Sequence, residues 1–260
     1  MILLLLIAGR AGLQLRFRWL RPHGAIIKRL LKIGIPGGAD VLTINGCHLW
    51  FLVIVNGLGT LAAAAHSLAI RIESIAYLPG GAFQVAATTM AGQYLGANDR
   101  KRAMRGVMAN FLAGGAIMVS MGLLFFFGAG WLTSFFTGAG GDPDRTSANL
   151  AMATAAQPLL RMASFAMPSL AATMIFSGAL RGAGDTRWPF LYTMIGMIGV
   201  RIPLALLLAP EQLTLPFVGE VSCLGLGVIG AWYAMLGDIA LRSILITIRY
   251  ARGRWLDTNV

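Results

Sequence analysis

Residues 177–189 read SGALRGAGDTRWP, with apolar runs on both sides, 162–177 before and 188–209 after. Three glycines, two arginines and an aspartate are crowded between those runs. Such a stretch can be a loop that cradles phosphate, a catalytic turn, or the end of a membrane span. Composition separates these readings. The chain has 260 residues, 57% hydrophobic and 12% charged, whereas a soluble domain carries roughly 25% charged residues. A water-facing surface cannot be built from so few charges. No G-x-x-x-x-G-K-[ST] loop and no G-x-G-x-x-G fingerprint after a strand occurs, so the glycines do not form a nucleotide site of either kind. The stretch is read as the end of a span.

A membrane helix needs about 20 mostly apolar residues. On that criterion the chain has six spans, at about 33–57, 62–95, 104–128, 148–180, 188–210 and 225–250. The second and fourth exceed the minimum and contain Pro79 and Pro168. Each proline removes a backbone donor and crowds the preceding turn, so a kink is expected there. The expected fold is an all-α bundle of six transmembrane helices. Residues 1–32 are read as the remnant of a preceding span plus a basic linker, 33–251 as the membrane lobe and 252–260 as a tail. MILLLLIAG at 1–9 lacks the basic start and small-residue cleavage site of a signal peptide.

The net charge is +11. A nucleic-acid partner would want these charges on one soluble face, and none exists. They sort instead by side of the membrane. Arg10, Arg16, Arg18, Arg21, Lys28, Arg29 and Lys32 precede the first span. Arg100, Lys101, Arg102 and Arg105 follow the second, Arg181 and Arg187 the fourth, and Arg249, Arg252 and Arg254 the sixth. The opposite connections, 58–61, 129–147 and 211–224, hold Arg145 against Asp142, Asp144, Glu211 and Glu220. An excess of Lys and Arg marks cytoplasmic loops. The expectation is a multi-pass protein of the plasma (inner) membrane with both termini cytoplasmic and the lipid bilayer as its surroundings.

GQYLGAND at 92–99 and GALRGAGD at 178–185 share G-x-x-x-G-A-x-D, each at the end of a proline-containing span. This suggests a three-plus-three repeat, a common device in transporters. Gly92, Gly96, Gly178 and Gly182 have the spacing that lets membrane helices approach closely. With Asp99 and Asp185 they are read as packing and hinge positions on the cytoplasmic side, and Asp185 is expected to pair with Arg181 or Arg187.

Ionisable groups within spans are costly and mark functional interiors. Asp40, Asn45 and His48 lie in the first span. Glu73, Tyr77, Gln84 and Thr88 form a polar stripe in the second, where Glu73 could pair with Arg71 or Arg201. Asp238 and Arg242, four apart in the sixth span, read as an intrahelical ion pair. Asp40, Glu73, Asn45, Tyr77 and Gln84 are the candidate substrate- or ion-binding residues. Cys47 and Cys223 imply no disulfide framework, and no Cys/His cluster has metal-ligand spacing.

Several motifs together resemble one family: P-x(21)-L-G at 36–59, A-A-A-H at 63–66, R-I-E-S at 71–74 with P-G at 79–80, A-A-T-T-M-A-G-Q-Y-L-G-A at 86–97, G-A-L-R-G-A-G-D-T-R at 178–187, and G-A-W at 230–232 with R-Y-A-R-G-R-W at 249–255. They are similar to the C-terminal half of multidrug and toxic compound extrusion (MATE) transporters. The resemblance implies two six-helix lobes around a drug cleft. It also implies export of organic cations or drugs by antiport against a proton or sodium gradient, with no cofactor. This chain would be one lobe, completed by an N-terminal lobe or by a second copy of itself. The sodium-coupled branch carries acids where this sequence has Ile44 and Leu170. A rival is a lipid-linked precursor flippase of the same superfamily, which needs a cationic cavity. A membrane-embedded enzyme is more remote, since no G-x-S-x-G nucleophile motif occurs.

Overall fold

The computed structural model describes residues 23–138, 143–215 and 219–257. The expected remnant span at 1–9 and the arginines at 10–21 lie outside these residues. The chain divides into two units, 1–35 and 36–260. The first contributes, from Gly24, only the opening turns of a helix.

Among the described residues, six apolar helices are long enough to cross a membrane. They are α1 (Gly24–Gly57), α2 (Thr60–Gly96), α3 (Arg100–Thr137), α4 (Pro143–Gly182), α5 (Arg187–Leu208) and α6 (Gly227–Ala251). Each expected span has its helix. The connection expected at 129–147 is shorter than its polarity suggested, because α3 continues to Thr137 and α4 starts at Pro143. Helices of 37 to 40 residues measure about 55–60 Å at 1.5 Å per residue. That exceeds the roughly 30 Å hydrocarbon layer, so they tilt or project beyond it. The described residues between α5 and α6 add a feature the sequence reading lacked. Gln212–Leu215 and Gly219–Ser222 pair as a small antiparallel hairpin.

Helices in lipid gain little from hydrophobic burial against one another, so close packing of small residues carries their association. The bundle follows this rule. α4 is the central helix, packed on α2, α3 and α6, and its Gly178 and Gly182 meet the backbone of α2. A Cβ at Gly178 would lie 2.4 Å from the Gln84 carbonyl oxygen, and one at Gly182 would lie 2.1 Å from that of Thr88. Thr88 Oγ1 donates to the Gly178 carbonyl at 2.9 Å, so the contact is hydrogen-bonded as well as tight. Gly92 sits 3.3 Å from the Gly182 carbonyl oxygen by the same measure, while Gly96 faces open space.

The two related motifs end their helices alike. After α2, the N–H groups of Ala97, Asn98 and Asp99 donate to the carbonyls of Gln93, Leu95 and Tyr94. After α4, those of Ala183, Gly184 and Asp185 donate to Ala179, Arg181 and Leu180. The offsets of four, three and five residues are identical, the pattern of a Schellman stop. Asn98 and Gly184 occupy the left-handed position, at φ 58° and 81°. Bond for bond, the second turn repeats the first.

The aspartates that follow diverge. Asp99 caps α3, accepting from the Arg102 amide at 2.9 Å. Asp185 reaches to α6, where Arg249 donates to it at 2.8 and 3.0 Å. The expected pairing of Asp185 with Arg181 or Arg187 is therefore corrected. Arg181 is engaged elsewhere, and Arg249 comes within reach because α6 packs against this end of α4. At the same end an aromatic column runs Phe111, Phe176, Tyr250, Trp255, with ring centroids 4.6, 4.4 and 5.4 Å apart.

Candidate functional site

The charged groups within the spans converge on α5 and α6. Asp238 of α6 is completely buried. Arg242, one turn on, holds its carboxylate through Nε to Oδ1 at 2.7 Å and Nη2 to Oδ2 at 2.9 Å. Arg201 of α5 approaches Oδ2 at 2.8 Å. Two cations thus share one anion. The local winding of α5 makes this possible. Met194–Arg201 is a π-helical stretch, a rare form that favours functional positions. Within it, Gly196 leaves room for the pair: a Cβ there would stand 2.2 Å from Asp238 Oδ1.

Arg201 is claimed by Asp238 rather than by Glu73, which corrects the pairing offered from sequence. Its guanidinium lies 5.7 Å from the centroid of the Phe51 ring, and its buried Nε has no hydrogen-bond partner among the described residues. Glu73 is 1% exposed and its Oε1 also lacks a partner.

Helix α1 meets the bundle along a narrow seam. Among its described residues the buried positions are Asp40, Cys47, Phe51 and Val55, spaced seven, four and four residues apart, on one helical face. Asp40 forms an ion pair with Arg181, the arginine of the 178–185 motif, leaving its Oδ1 unpartnered. Asn45 points away from the seam, exposed and bonded to the Val41 carbonyl of its own helix.

Two cavities lie between these elements. The larger, about 520 Å³, is bounded by Phe51, His66, Ile70, Arg71, Arg201 and Met235, among others. Trp232 Nε1 donates to His66 Nδ1 at 3.2 Å, so a neutral His66 carries its proton on Nε2. The smaller, about 230 Å³, is lined by Tyr77, Gln84, Arg181, Arg201 and Arg242, with Ile44 and Leu170 on its apolar side. His48 and Arg201 belong to both. Of the candidate site residues, Tyr77 and Gln84 face a cavity, Asp40 and Glu73 are buried, and Asn45 stands apart. The sequence reading missed the joining of Arg201 to Asp238 and of Trp232 to His66, because both cross between helices and depend on how the helices pack. The only signal in the sequence was the presence of polar groups in both spans.

Six membrane-length helices with buried ion pairs and cavities between them make a multi-pass membrane protein. Residues 36–207 match the MatE family model, and the chain belongs to that family. A probable multidrug resistance protein NorM of Thermotoga maritima is 27% identical over 254 residues, covering 98% of this chain and 50% of that protein. The crystal structure of a MATE protein in complex with MaL6 aligns with a TM-score of 0.76 at 15% identity, over 96% of this chain and 52% of the other. A transporter of the MOP superfamily from Pyrococcus furiosus, described as having a binding pocket of reverse polarity, aligns with a TM-score of 0.65 at 21% identity, over 84% of this chain and 43% of the other. The chain spans about half the length of the curated relatives it matches.

Proposed function

We propose that this chain is one lobe, the C-terminal one, of an ion-coupled exporter of drug-like amphipathic molecules, organic cations among them. The observation that carries the reading is its match along nearly its whole length to half of a probable multidrug resistance protein. In this reading a second six-helix half completes the cleft, either an N-terminal lobe or a second copy of the chain. The gradient of protons or sodium supplies the work. Glu73 is the side chain best suited to hold the coupling ion, because a carboxyl buried in a span with a free oxygen gains a partner when it takes up a cation. Tyr77 and Gln84 line the path beside it, and the apolar walls at Phe51, Ile70 and Met235 suit a drug's hydrocarbon body.

The test is efflux of an organic-cation dye from cells lacking their own exporters. The chain is expressed alone and together with the six-helix segment encoded upstream of Met1, if one is present. Dye efflux that collapses with the ion gradient is expected, along with loss of efflux in Glu73→Gln at unchanged expression. Gradient-independent dye levels in both expressions would sink the exporter reading. Unchanged efflux in Glu73→Gln would remove only the role given to Glu73.

A further inference from the structure

The cavities carry a polarity that the exporter reading does not use. Among the described residues, no aspartate or glutamate lines either one. Their charged walls are four arginines: Arg71 and Arg201 in the larger, Arg181, Arg201 and Arg242 in the smaller. The balancing carboxylates, Asp40 and Asp238, are 2% and 0% exposed and stand behind these arginines. Arg201 and Arg242 share the single carboxylate of Asp238. Arg201, 3% exposed, still has its Nε without a hydrogen-bond partner among the described residues. An arginine with an unused donor is costly where water is excluded, and an anionic oxygen satisfies both its charge and its geometry. Phe51, Ile70 and Met235 provide an apolar wall in the larger cavity.

We propose that these joined cavities receive the anionic group, a carboxylate or phosphate, of an amphipathic molecule whose apolar body lies in the larger cavity and whose oxygens meet Arg201. The binding site stands on the lining alone. Only the statement that such acids or zwitterions are cargo rests on the exporter reading.

The experiment uses the full chain in detergent and three probes with one ring system: 2-naphthoate, 2-naphthyl phosphate and 2-naphthylmethylammonium. Binding is followed by titration calorimetry. At least one of the two anions is expected to bind about tenfold or more tightly than the ammonium compound, the scale of one charge-assisted hydrogen bond. Which anion binds more tightly identifies the oxyacid preferred. Arg201→Gln, which leaves the Asp238–Arg242 pair in place, is expected to remove most of this preference. Arg71→Gln, on the wall of the larger cavity and outside the buried triad, is expected to reduce it severalfold and serves if Arg201→Gln misfolds. Equal or tighter binding of the ammonium compound would overturn the proposal, and so would no binding by any probe. Anion binding indifferent to both substitutions would also overturn it. None of these results bears on gradient-driven dye efflux, so the exporter reading stands or falls separately.

Discussion

Asp238 is the residue on which most depends. It is the shared ion-pair partner of two arginines in the interior of the bundle. Removing one partner from a buried charge network strands the others, typically at about 3–5 kcal/mol. Asp238→Asn is therefore expected to lower thermal stability in detergent more than any other single substitution among the in-span acids. An Asp238→Asn chain as stable as the parent would show that water or lipid headgroups reach the arginines. Gly196 is coupled to the same charges, since any side chain there meets Asp238 and Arg242 first. Gly196→Ala is expected to cost about 1–3 kcal/mol, the range for overpacking, again read as a fall in melting temperature.

At the scale of the helices, the paired glycine motifs are not equivalent, although their sequences are. Gly182 touches the Thr88 carbonyl, while Gly96 touches nothing. Gly182→Ala is expected to force α2 and α4 apart at about 1–3 kcal/mol. Gly96→Ala is expected to be neutral or slightly stabilising, by up to about 1 kcal/mol, because alanine is the better helix former. Paired melting curves check both; equal effects would mean that the α2–α4 contact is not what holds this end. The spacing of glycines was legible in the sequence, and so was the relation between 92–99 and 178–185. Which glycines are in contact was not, because it depends on how α4 lies in the bundle. The same limit explains Asp185. Its neighbours Arg181 and Arg187 are close in sequence, yet the geometry of the turn presents it to Arg249, 64 residues away. The hairpin at 212–222 was missed because its strands, QLTL and GEVS, are four residues each, too short for their alternation to stand out. The π-helical stretch escaped because its residues, MIGMIGVR, have the apolar character of any span.

For the whole molecule, orientation is the property that the sequence describes and contacts do not. From the charge asymmetry, both ends of the described chain, and the turns at 97–99 and 183–186, are expected on the cytoplasmic side. After replacement of Cys47 and Cys223 by alanine, a cysteine at Gln212 is expected to react with an impermeant maleimide on intact cells. One at Arg252 is expected to react only after permeabilisation. The reverse pattern would invert the topology. The end holding the 97–99 and 183–186 turns also has an optical consequence. Trp255 is fully buried, stacked at 19° on Tyr250, and bonded through Nε1 to the Tyr250 carbonyl. Of the other described tryptophans, Trp50, Trp131 and Trp188 are exposed, and Trp232 is buried against His66. A variant keeping Trp255 as its single tryptophan would thus emit from a shielded site, fed by energy transfer from an adjacent tyrosine. Its fluorescence would report whether α3, α4 and α6 remain joined at that end, whatever the cavities are doing.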